Sequence, residues 1–163
     1  MNRRNFHLRG LALLAAPLPA PAHSPFSGLS ATFWQTLERR SEGRLGVAVL
    51  DTRNGTLIGH RLDERFPMFS TFKWLAAALV LHRVDAGLEQ LDRRIRFGTD
   101  RLLPHSPLTA QHVGDGMTLA ALCDATVTVS DNAAANLILE SFGGPAAVTA
   151  YARRLGDTAT RLD

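Results

Sequence analysis

The chain has 163 residues, 45% hydrophobic and 20% charged, with a formal net charge of +3 and an isoelectric point near 10.0. That is an ordinary globular composition and about one domain's worth of chain. The positive charge comes from scattered arginines, not from a basic stripe interleaved with aromatics, so a nucleic-acid surface is not indicated; nor does any run approach the ~18 apolar residues of a membrane span.

The first residues read as a targeting segment. Arg3-Arg4-Asn5-Phe6 is a charged start, Leu8 to Leu18 is mainly apolar, and Ala20-Pro21-Ala22 is an A-x-A cleavage signal. The paired arginines followed by Phe6 and Leu8 are similar to a twin-arginine export signal, with an ordinary Sec signal as the alternative. Either route predicts a periplasmic destination for a mature chain of roughly 140 residues starting near His23.

Residues 27–42 read as an amphipathic helix. Leu29, Phe33, Trp34 and Leu37 form the apolar stripe, and Glu38, Arg39 and Arg40 lie outside it. Leu45 to Leu50 is a strand signal, Asp51 to Gly55 a turn with the Asn54-Gly55 pair, and Thr56 to Arg61 a returning strand. Two strands by themselves are only marginally stable in water. The rest of their sheet is therefore expected beyond residue 163 or in another chain.

The next stretch, Pro67 to Lys73, leads into the apolar run Trp74 to Leu81. A helix is predicted over 70–86, stopping near Gly87. Ser70 then falls at the helix start, with Lys73 one turn along the same face. A serine hydroxyl needs an adjacent base to become a nucleophile, and a desolvated lysine can be that base. Unpaired N–H groups at the helix start can stabilise an oxyanion. Ser-x-x-Lys also fits a plain helix cap, so both readings stand on this stretch by itself. Lys73, however, is the only lysine in the chain. Arginine, the other permanently cationic side chain here, cannot lose its proton and could not take that role.

After this helix no convincing strand is predicted. A polar, irregular stretch with Pro104 and Pro107 precedes helices at about 118–128 and 132–142, a Gly143-Gly144-Pro145 break, and a helix at about 145–155. Cys123 is the single cysteine and sits in the apolar pattern Leu119, Leu122, Cys123, Thr126, Val127. It reads as a buried core thiol, since no partner histidine is placed beside it. His60, His82, His105 and His112 show no metal-ligand spacing, so no metal or other cofactor is expected.

Ser130-Asp131-Asn132, just before Ala133 to Glu140, reads alone as a helix-cap cluster. Together with Ser70-x-x-Lys73, in this order, it resembles the class A serine β-lactamases. Arg65-Phe66-Pro67-Met68, Arg44-Leu45-Gly46, Gly156-Asp157 and Thr160 to Asp163 also look like that family. The resemblance covers essentially the whole mature chain. It implies an α+β fold: an antiparallel sheet flanked by helices plus an all-α domain, with only the first hairpin of the sheet written here. The implied division is 1–22 export signal, 23–69 N-terminal helix and hairpin, and 70–163 all-α domain.

By resemblance, Ser70 attacks a β-lactam carbonyl and Lys73 takes part in proton transfer. Ser130 passes a proton to the departing nitrogen and Asn132 holds the substrate side-chain carbonyl. Asp131 is structural, and Asn136 steadies a general-base glutamate. His105 matches an aromatic site-rim position; a solvated loop histidine is the other reading. The family's R-x-E-x-x-L-N loop would begin just after Asp163, and its K-T-G strand is absent as well. The chain is therefore expected to be the first half of a monomeric enzyme, with little turnover alone. Two alternatives are kept: a penicillin-binding transpeptidase or carboxypeptidase, which more usually shows S-x-N, and a non-catalytic fragment that docks with a complementary segment.

The export reading makes a direct prediction. Replacing Arg3 and Arg4 together by Lys traps precursor in the cytoplasm, as read by fractionation and processing. Normal processing of the double variant would leave only the Sec route.

Overall fold

The computed structural model describes residues 29–163, so the export segment expected over 1–22 lies outside the described residues. The chain divides into two compact units, one ending at Glu64 and one running Arg65–Asp163.

In the first unit, helix α1 (Ala31–Ser41) starts where the Ser30 hydroxyl accepts the Phe33 N–H. The following strands β1 (Val47–Asp51) and β2 (Thr56–His60) pair antiparallel, from Val47 opposite His60 to Asp51 opposite Thr56. The turn closes through Gly55 N–H to the Asp51 carbonyl at 2.8 Å. The alternation of the pleat puts Val47, Val49, Ile58 and His60 on one face and Ala48, Leu50 and Leu57 on the other. Helix α1 covers the first face. Its Glu38 carboxylate accepts from Arg61 Nε at 2.8 Å, from the Leu45 N–H at 3.0 Å and meets His60 Nε2 at 3.1 Å. Leu50 and Leu57 on the opposite face stay 58% and 55% exposed among the described residues.

The second unit is built around α2 (Phe72–Asp85), a helix apolar on nearly every side, most of which is buried while Trp74 and Leu81 stay exposed. It packs against α3 (Leu119–Thr128), α4 (Asn132–Ser141) and α5 (Pro145–Arg154). Leu75, Ala76, Leu79 and Val80 of α2 meet Leu119, Leu122 and Ala125 of α3, Leu137 and Ile138 of α4, and Val148 and Ala152 of α5. Each helix begins on a local signal. Thr118 caps α3 through the Ala121 N–H, Asp131 caps α4 through the Ala134 N–H, and α5 opens at Pro145 after Gly144.

The expected helices and hairpin form, with two corrections. The helix expected at 70–86 is an α-helix only from Phe72; Phe69–Thr71, which contains Ser70, is a tighter 3₁₀ turn. The segment thought to lack strands contains a two-residue antiparallel ladder, β3 (Arg94–Ile95) with β4 (Met117–Thr118). A ladder this short leaves no periodicity to read. Gly116 lets it form, with φ +72° and no room for a side chain, since a Cβ there would lie 2.2 Å from the Ile95 carbonyl oxygen.

With these elements the architecture is α+β, five α-helices and small antiparallel sheets among the described residues. Cys123 packs half-buried against the helical core, and burial pushes its thiol up to about 11, so it is not a thiolate at neutral pH.

The Glu38 cluster generates a pH prediction. Hydrogen bonds from Arg61, the Leu45 N–H and His60 hold the Glu38 carboxyl down to about 2 against an ordinary 4.5. A depressed carboxylate contributes stability above its unfolded value and loses it as pH falls toward the folded one. Acid unfolding between about pH 4.5 and 2 should flatten in Glu38→Gln, as followed by the urea midpoint against pH.

Candidate active site

Lys73 is the one charged side chain of α2 drawn into the interior, at 3% exposure. Its ammonium donates to the Ser130 carbonyl at 2.7 Å, the Ser130 hydroxyl at 3.0 Å and the Asn132 side-chain oxygen at 2.6 Å. An ammonium has three N–H donors and all three are used here. Burial pulls Lys73 below the ordinary lysine value, and the Asp131 charge pulls weakly the other way. The result is a cation whose proton is easier to lose than a surface lysine's, already bonded to a hydroxyl.

The acceptors are held by the segment before α4. Asp131, with no exposure, accepts the Leu108 and Thr109 N–H groups at 3.0 Å each, the Thr109 hydroxyl at 2.9 Å and the Ala134 N–H at 2.9 Å. Burial would raise its carboxyl, but hydrogen bonds from Ala134, Thr109 and Leu108 outweigh that and lower it. The loop before α3 is tied on residue by residue. The Asn132 amide donates to the Pro104 carbonyl at 2.7 Å and its backbone N–H to the His105 carbonyl at 3.0 Å; the Ala133 N–H reaches the Ser106 hydroxyl at 3.2 Å. The exposed His105 ring lies 2.8 Å from the Val129 carbonyl oxygen, which fixes its Nε2 as the protonated nitrogen.

Ser70 lies at the open side of this cluster, exposed, one turn before Lys73. No hydrogen bond joins the Ser70 hydroxyl to Lys73 among the described residues. The preceding residue, Phe69, has φ +44° and is 82% exposed. Ser130 (φ +56°) and His105 (φ +60°) also occupy left-handed backbone. Such conformations cost about 1–3 kcal/mol each and persist only where surrounding structure imposes them. Here all three flank the same group of side chains.

Of the residues singled out from the sequence, Lys73, Ser130, Asp131 and Asn132 are thus brought into direct contact, and His105 beside them. Asn136 is exposed one turn further along α4. Sequence reasoning missed Ser106 and Thr109. Pro104 and Pro107 marked the loop as irregular, but no local signal reveals which carboxylate its N–H groups bind.

The model of the β-lactamase enzyme family matches residues 30–163. The chain belongs to the class A β-lactamases. Among solved structures it is similar to an ancestral class A β-lactamase at 64% identity, with a TM-score of 0.78, covering 79% of this chain and 50% of that one. The last common ancestor of Gram-negative bacteria class A β-lactamase matches at 63%, TM-score 0.78, over 80% of this chain and 50% of that one. PenP of Rhodopseudomonas palustris, assigned as a class A β-lactamase, matches at 62% and TM-score 0.80, over 82% and 51%. The chain thus spans about half the length of these class A structures.

Asp131 makes this β-lactamase chain testable as a folded unit. Asp131→Ala leaves the buried Thr109 and Ala134 N–H groups unsatisfied and should cost about 3–5 kcal/mol in the urea midpoint. Because the carboxyl is lowered, the loss is full above the ordinary Asp value and shrinks as pH falls below it.

Proposed function

We propose that the protein carrying this chain hydrolyses β-lactams through a serine acyl-enzyme, with Ser70 as nucleophile. The observation that carries the reading is the Lys73 ammonium, buried and bonded to both Ser130 and Asn132. As the Ser70 oxygen bonds to the lactam carbonyl carbon, its proton leaves to a base and the carbonyl oxygen gains negative charge. The Ser70 backbone N–H, in the 3₁₀ turn at Phe69–Thr71, is suited to that charge. When the C–N bond breaks, the electron pair goes to nitrogen, which takes the Ser130 hydroxyl proton. Lys73, 3.0 Å away, returns a proton to Ser130. Asn132 and His105 border the space where the substrate side chain would lie.

Lys73 as the initial base is a harder role, because all three of its hydrogens are engaged. It must first release one, and burial favours that. Asp131 cannot be the base for deacylation, since both its oxygens are taken by buried donors. We assign that step to a carboxylate-activated water held by other residues of the protein. The same reading has the enzyme work in the periplasm after export on residues 1–22.

The test uses a chromogenic cephalosporin and mass spectrometry. Ser70→Ala abolishes hydrolysis and the β-lactam adduct. Lys73→Arg keeps the charge but cannot give up its proton, and should lower the rate by about 10²–10⁴. Hydrolysis that survives Ser70→Ala would sink the nucleophile assignment.

A further inference from the structure

Away from Lys73, where α2 crosses α5, a cavity of about 180 Å³ is lined by Leu79, Arg83, Phe142, Ala150, Tyr151 and Arg154, with Ala147 completing the wall. Its origin lies in side-chain size. The two alanines of α5 leave a gap that Leu79 and Phe142 border with apolar surface. The His82 ring leans on Tyr151, centroids 5.3 Å apart, and braces the phenol at the edge.

The cavity also carries charge without an opposite number. The Arg83 side chain makes no hydrogen bond among the described residues, and its Nε is buried with no partner. Glu89 is near enough to feel the Arg83 charge, but that carboxylate is bound by both arms of Arg93 at 2.7 Å. Arg154 is exposed and in no ion pair among the described residues. A buried N–H donor left unmade is costly and rare in a folded protein. Two guanidiniums, a phenol and an aromatic wall around this volume fit one class of ligand: a flat ring bearing one carboxylate. The space exceeds the ~150 Å³ that holds a benzene ring, and an arginine fork binds carboxylate in two contacts.

We propose that this cavity is a binding site for a small aromatic carboxylate, held by Arg83 and Arg154 with its ring against Phe142 and Leu79. The site is separate from the Lys73 cluster and does not depend on the β-lactam reading.

The experiment titrates benzoate into the protein that carries this chain, by calorimetry and by ¹⁵N NMR of arginine Nε–H groups. A nine-atom ligand in a partly open site should bind at about millimolar Kd, one per chain. The Arg83 Nε–H resonance should move on saturation. Benzyl alcohol, of the same shape without the charge, should bind about tenfold more weakly or worse. Ala150→Leu fills the cavity from an exposed position and should abolish benzoate binding. Arg83→Gln should weaken it about tenfold or more. Both variants should hydrolyse a chromogenic cephalosporin at the parent's rate. No saturable benzoate binding, or equal affinity for benzyl alcohol, would overturn the proposal. So would unaltered binding in Ala150→Leu, which decides the matter even where Arg83→Gln fails to fold.

Discussion

Asp131 holds a negative charge where solvent does not reach, and the order of the site follows from how that charge is satisfied. A buried carboxylate is tolerable only with enough donors around it. Here they come from two places in the chain: Leu108 and Thr109 in the loop before α3, and Ala134 in the first turn of α4. Neither segment could leave without stranding the charge. With Asp131 fixed, the Ser130 and Asn132 side chains on either side of it have little freedom, and the loop is sewn on further by Pro104, His105 and Ser106. The left-handed backbone at Ser130 and His105 is the conformational cost of that arrangement.

Lys73 depends on this scaffold in turn. It projects from α2, whose other buried residues are apolar, so its charge would be unsupported without acceptors from the opposite wall. Ser130 and Asn132 supply three. The same contacts that make the burial tolerable put an ammonium proton on a hydroxyl. A stabilising interaction and a proton-transfer geometry are here one object. Arginine, with its fixed fork and a guanidinium that stays protonated near neutral pH, would satisfy the first demand and fail the second.

Much of this was legible in advance, for identifiable reasons. Three helices of the second unit were readable because their starts carry local chemistry, Thr118, Asp131 and Gly144-Pro145, and α2 because of its apolar run. The hairpin was readable from alternation and the Asn54-Gly55 turn. Ladder β3–β4 was not, because two residues per strand carry no period and its partners lie more than twenty positions apart. The 3₁₀ geometry at Ser70 was not either, since a 3₁₀ start and an α start share composition.

The amino-acid order by itself determined the helices and the first hairpin, the identity of the chemical groups, and, through Ser70-x-x-Lys73 and Ser130-Asp131-Asn132, the family. Those are properties of neighbours within a few residues, where periodicity and capping act. Only the tertiary structure decided that Lys73 spends its three protons on Ser130 and Asn132. It alone set Asp131 to grip Thr109, and left the Arg83 Nε beside a cavity without a hydrogen-bond partner among the described residues. Each joins residues distant in the chain. Whether a buried charge finds its donors depends on how helices pack, and packing is set by the whole apolar surface at once rather than by any stretch of sequence.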